Sequence, residues 1–134
     1  MFSIFFSCNV QRDNEDFRHL TELDALIDSI PNEVSDSLRA LHDNDFSREN
    51  RTYYNLLKTI TDDKTYFNFT NDSLINNVVS YYQSHDPKNT NYLRSLIYQG
   101  VVRMRMGVID STAFEPLKEV NNIFKEQINP DPCI

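Results

Sequence analysis

Glycine is scarce in this chain: two in 134 residues, Gly100 and Gly107, along with only five prolines. Sheet-rich folds reverse direction every few residues in tight turns built on these residue types, so their scarcity argues for helices. Cysteine is as sparse. Cys8 and Cys133 stand near opposite ends, which is neither a disulfide framework nor the clustered ligand set of a zinc site. No apolar run in the sequence approaches the roughly 20 residues that span a bilayer. Basic residues are outnumbered, 13 Lys and Arg against 20 Asp and Glu, for a formal net charge of −7. That balance disfavours nucleic acid and anionic membrane surfaces, whose phosphates are met by basic protein surfaces.

What is present is helical periodicity. Six segments carry apolar residues three and four apart. The first, 19–30, places Leu20, Leu23, Leu26, Ile27 and Ile30 on one face and stops at Pro31. The second, 32–42, opens on Asn32 as a cap and carries Val34, Leu38 and Leu41. The third, 48–62, is capped by Ser47 and bears Tyr53, Tyr54, Leu56, Leu57 and Ile60. An aromatic loop with Tyr66, Phe67 and Phe69 leads to the fourth, 71–85, which ends before Pro87. The fifth, 90–106, runs Leu93, Leu96, Ile97, Gly100, Val101, Met104. The sixth, 112–127, reads as opening on a Thr112–Glu115 capping box, with Pro116 in its first turn. Short connections pair the six as three antiparallel hairpins, each with more apolar surface than it can hide alone. The expectation is an all-α fold of stacked helical hairpins.

The two glycines fit that picture. A glycine inside a helix costs about 1 kcal/mol relative to alanine, so Gly100 needs a reason, and close approach of a second helix supplies one. Gly107 falls where the stripe ends and suits the left-handed residue that terminates a helix.

The start is unusual. Met1–Cys8 is an apolar patch that ends in a small residue, Ser7, followed by cysteine, and gives way to polar residues up to position 18. It resembles the tail of a bacterial lipoprotein signal, which makes Cys8 a candidate for lipidation, although the stretch lacks a basic leader and is short. The domain expectation is therefore an apolar start and polar tether over 1–18, a helical domain over 19–129 and a tail over 130–134.

Tyr53-Tyr54-Asn55-Leu56-Leu57, Asp63-Lys64-Thr65-Tyr66, Asn71-Asp72-Ser73-Leu74-Ile75-Asn76 and Val79-Ser80-Tyr81-Tyr82 together resemble a family of tetratricopeptide-repeat lipoproteins from Bacteroidetes. Tyr98-Gln99-Gly100-Val101-Val102 resembles the first helix of the repeat, and Leu26–Asn32 the family's opening hairpin. The likeness covers roughly 20–125 and is sharpest over 53–100. Two positions depart from it: Arg103 stands where the repeat usually has an aromatic, and Ala113 is one residue out of register. The resemblance implies stacked repeats and a non-enzymatic protein-interaction module, lipid-anchored through Cys8 on the cell envelope. The family continues through further repeats, so the resemblance leaves open a truncated member, a small independent adaptor and a fragment of a longer reading frame. A small soluble cytoplasmic regulator, dimerising or binding DNA as a helix-turn-helix, is the alternative, and the net charge counts against its DNA-binding form.

Chemical motifs add little. His19, His42 and His85 fall on separate segments, without a second histidine at ligand spacing. Asp43-x-Asp45-x-Ser47 begins like a calcium loop, but Arg48 takes the glycine position and Tyr54 that of the bidentate acid. No catalytic, cofactor or metal constellation is read. One charge pattern stands out: Arg51 and Lys58 on the third helix and Arg94, Arg103 and Arg105 on the fifth, with no basic residue on the fourth. As first helices of stacked repeats, the third and fifth would line a groove with Arg51, Tyr54, Lys58, Arg94 and Arg105. Such a groove fits an acidic peptide or a C-terminal carboxylate. The plainer reading is solvated basic residues on amphipathic helices.

Overall fold

A computed structural model describes residues 2–128 of the chain, and the side chains of 10–127. It is all-helical, with six α-helices and no strand among the described residues. The helices are α1 (Phe2–Leu26), α2 (Pro31–Arg39), α3 (Arg48–Lys64), α4 (Ser73–His85), α5 (Thr90–Arg105) and α6 (Ser111–Ile128), with one 3₁₀ turn at Asp43–Asp45. The chain divides into two compact units, 1–67 and 68–134.

In the first unit α3 packs against both α1 and α2. Leu20 and Leu23 of α1, Ile27 in the turn that follows it, Val34 and Leu38 of α2, and Leu56, Leu57 and Ile60 of α3 are buried, each stabilising the fold by about 1.5–3 kcal/mol. Ser47 caps α3 as expected, its hydroxyl accepting from the Asn50 amide at 3.1 Å. Two expectations change here. The polar stretch 9–18 is no tether, because it is helical and continuous with the apolar residues before it. It is held from a distance: Asn50, buried on α3, donates its side-chain amide to the Asp13 carbonyl at 2.9 Å, and the Phe17 ring lies 5.8 Å from that of Tyr53. Asn32 is not the cap of α2 either. The helix starts one residue earlier with Pro31 in its first turn and Ile30 at the cap, since proline's fixed φ and missing N–H cost nothing there. Cys8 lies on the backbone of α1, and its side chain lies outside the described residues, as does all of Cys133.

α3 ends in an unusual way. The Phe67 amide donates to the Asp62 carbonyl at 2.8 Å and the Tyr66 amide to that of Asp63 at 3.3 Å, the paired bonds of a Schellman cap. The left-handed position this cap requires is held by Tyr66, at φ 61°.

In the second unit α5 is central, packed against α4 on one side and α6 on the other. The α5 stop follows the sequence: Gly107 at φ 86°, its amide bonded to Met104 O at 3.0 Å and the Val108 amide to Arg103 O at 3.0 Å. The α6 start does not. The capping carboxylate is Asp110, which accepts from the Thr112 amide at 3.0 Å and from the Thr112 hydroxyl, so the expected Thr112–Glu115 box gives way to a cap two residues earlier. The hydrogen bonds from Thr112 hold the Asp110 carboxyl below its ordinary value.

Candidate interaction surface

Gly100 sets the geometry of the α5–α6 hairpin. A Cβ placed there would lie 3.1 Å from the Ala113 carbonyl oxygen and 3.4 Å from Leu117 Cγ, so the missing side chain is what lets the two helices meet. Next to this crossing lies the departure noted in the sequence, Arg103. Pro116 has no N–H and leaves the Thr112 carbonyl, four residues earlier in α6, without its helical donor. Arg103 supplies one through Nη1 at 2.9 Å. The same guanidinium bonds Asp72 at 3.1 Å and Asn76 at 3.4 Å. One side chain of α5 thus secures the starts of both flanking helices, a task no aromatic residue performs.

These contacts fix which way α5 and α6 turn. Successive helical residues are about 100° apart. On α5, Gly100 points at α6, while Arg103 and Gln99, the latter bonded to Asn76 at 2.8 Å, point at α4. Rotating from Gly100 away from α4 brings Met104, Ile97 and Val101, then Arg94 and Arg105. On α6, Ala113 and Leu117 meet Gly100, and rotating away from Pro116 and Ile123 brings Phe124 and Phe114, then Lys125 and Lys118. Because the helices run antiparallel, both rotations lead to the same side of the hairpin. Ile97 (36% exposed), Met104 (42%), Phe114 (46%) and Phe124 (45%) are all open there. Large exposed apolar side chains gathered on one face mark an interaction site more strongly than the same residues scattered singly.

The reverse side of α6 is acidic. Pro87, Lys88, Tyr92, Glu119, Ile123 and Glu126 line an open cleft of about 500 Å³. Burial, helped by the Glu119 carboxylate, raises the Tyr92 hydroxyl pKa. On α6 itself the charges divide, with Lys118 and Lys125 toward one side and Glu119 and Glu126 toward the other.

The five residues expected to line a groove are divided, with Arg51, Tyr54 and Lys58 in the first unit and Arg94 and Arg105 in the second. Arg51 is bound to the backbone before its own helix, donating to Asp43 O at 3.3 Å and Asn44 O at 3.0 Å. Tyr54 is a core residue and not an aromatic wall: it is buried, and its hydroxyl donates to Leu38 O at 3.1 Å. Lys58 pairs with Asp62 one turn on at 3.1 Å. Arg94 donates to Asn91 Oδ1 at 3.0 Å. Arg105 is exposed on the last turn of α5. The sequence places Phe114 and Phe124 with the apolar residues of the sixth helix, and what it leaves unread is Lys118 and Lys125 beside them, although the spacing on α6 carries that signal, an apolar strip edged by lysines beside the core-facing stripe.

Among the described residues no three His, Cys, Asp or Glu side chains gather as a metal site, and no helix is long and apolar enough to cross a membrane. No protein-family model, curated protein or solved structure matches the chain.

Proposed function

We propose that the protein is a non-enzymatic, helical protein-binding module whose working surface is the α5–α6 hairpin. The observation that carries this reading is the exposure of Ile97, Met104, Phe114 and Phe124 on one face. Exposing those side chains to water forgoes on the order of 25 cal/mol per Å² of burial, and a docked partner recovers it. The tetratricopeptide likeness read in the sequence is in keeping with such a role, as is anchoring through Cys8, for which a diacylglyceryl mass on the native protein is the test.

Site-specific photo-crosslinking tests the binding role. A benzophenone amino acid at position 114 should capture a discrete partner in cells, while the same probe at Arg39, exposed on α2, should not. Equal labelling at both positions, or none at 114, contradicts the reading.

A further inference from the structure

The proposed binding role leaves the partner's chemistry open, and the inference here rests on that role. We infer that the α5–α6 face receives an acidic amphipathic helix from another protein. Three features of the face lead there. The first is shape: two antiparallel helices in contact at Gly100 leave a shallow furrow between Ile97 and Met104 on one side and Phe114 on the other. A third helix fills such a furrow by laying an apolar stripe along it.

The second is charge. The apolar strip is edged by Arg94 and Arg105 along α5 and by Lys118 and Lys125 along α6, while Glu115, Glu119 and Glu126 sit round the back of α6. A helix with carboxylates beside its apolar stripe meets Lys118 and Lys125 of α6, while Arg94 and Arg105 keep contacts they already make within the chain. A basic helix meets like charge there.

The third decides between occupants. A second copy docked through the same face would bring the two basic edges together, which like-charge repulsion opposes. An anionic bilayer would have to accept a chain with a net charge of −7. The acidic helix is the occupant that satisfies both the furrow and its rim.

The test uses the full chain and two designed 18-residue helical peptides. Both carry leucines three and four apart; one is flanked by glutamates and its twin by lysines at the same positions. Fluorescence anisotropy should show the glutamate peptide binding at least tenfold tighter than its twin, with affinity falling as salt is raised. Lys118→Glu/Lys125→Glu changes only exposed positions and should weaken that binding at least tenfold. Phe114→Ala/Phe124→Ala should do the same while the circular dichroism spectrum stays that of the parent. Equal affinity for the twins, or none for the glutamate peptide, overturns the inference. So does sedimentation showing a dimer that Phe114→Ala abolishes, or binding to anionic vesicles in place of peptide. Glutamate-peptide binding that survives the Lys118 and Lys125 reversals but is lost in Arg51→Ala would overturn this face while leaving a binding role standing.

Discussion

At Gly100 any side chain must displace backbone, because the nearest atom to an added Cβ is the Ala113 carbonyl oxygen. Gly100→Leu is expected to destabilise the protein by about 1–3 kcal/mol in urea denaturation, despite leucine's better helix propensity. Gly100→Ala should fall between the two, gaining up to about 1 kcal/mol in propensity and losing clearance. A leucine variant as stable as the parent would mean that α6 does not cross there. Tyr66 poses the opposite problem. It occupies a left-handed cap at φ 61° and is 90% exposed, so strain of about 1–2 kcal/mol is offset by little packing. Tyr66→Gly should raise the unfolding midpoint, and a lowered midpoint would show that the ring is held. Gly107→Ala, at φ 86° with open space around it, should lower stability through conformation alone.

At the scale of the helix, the α6 start depends on two side chains of different kinds. Arg103→Ala removes the donor to Thr112 O together with the bonds to Asp72 and Asn76, at a cost of roughly 1.5–3 kcal/mol, trimmed where the pair meets solvent. If the Arg103–Thr112 bond compensates for the proline, Pro116→Ala restores the missing helical donor. A double-mutant cycle should then show Arg103→Ala costing less in that background. Equal costs would assign Arg103 to Asp72 and Asn76 alone. Asp110 adds a pH dependence. Its folded pKa lies below the unfolded value of 3.8, so its contribution is present above that value and lost as pH falls through the lower, folded one. Protection of the Thr112 amide, taken relative to its intrinsic exchange rate at each pH, should fall over that acidic window in the parent and not in Asp110→Asn. Buried Tyr54 and Tyr92 act at the other end. Burial raises both hydroxyl pKa values, with Asp43 and Asp62 adding to the effect at Tyr54 and Glu119 at Tyr92. Stability that is full below the unfolded value of about 10 is therefore lost as pH climbs through the folded values.

Helix periodicity made five of the six elements legible to within a few residues, along with the Ser47 cap and the distinct tasks of Gly100 and Gly107, because these are local properties. What was illegible is long-range. Nothing near Asn9–Arg18 in sequence announces that Asn50 and Tyr53 will hold that stretch as helix, and nothing about Arg103 read alone reveals a carbonyl freed by a proline thirteen residues on. Periodicity leaves Tyr54 open between groove wall and core, because the partner that decides it, the Leu38 carbonyl, is sixteen residues away. The α6 cap was misplaced because Asp110 and Thr112 are both good caps, and only the three-dimensional arrangement chooses between them.

For the molecule as a whole, acidity and function bear on one another. A chain of net charge −7 repels acidic partners at long range, so binding an acidic helix depends on the local reversal of sign along α5 and α6. Association should accordingly be slow relative to a steered encounter, and should weaken with salt through faster dissociation. Nuclear magnetic resonance of the full chain, titrated with the glutamate-flanked peptide, reads the location directly. The largest amide and methyl shifts are expected at Ile97, Val101, Met104, Phe114 and Leu117, with smaller ones at Lys118 and Lys125. Shifts centred instead on Arg51 and Lys58 of α3, or on the Tyr92–Glu119 cleft behind α6, would contradict binding at the α5–α6 face.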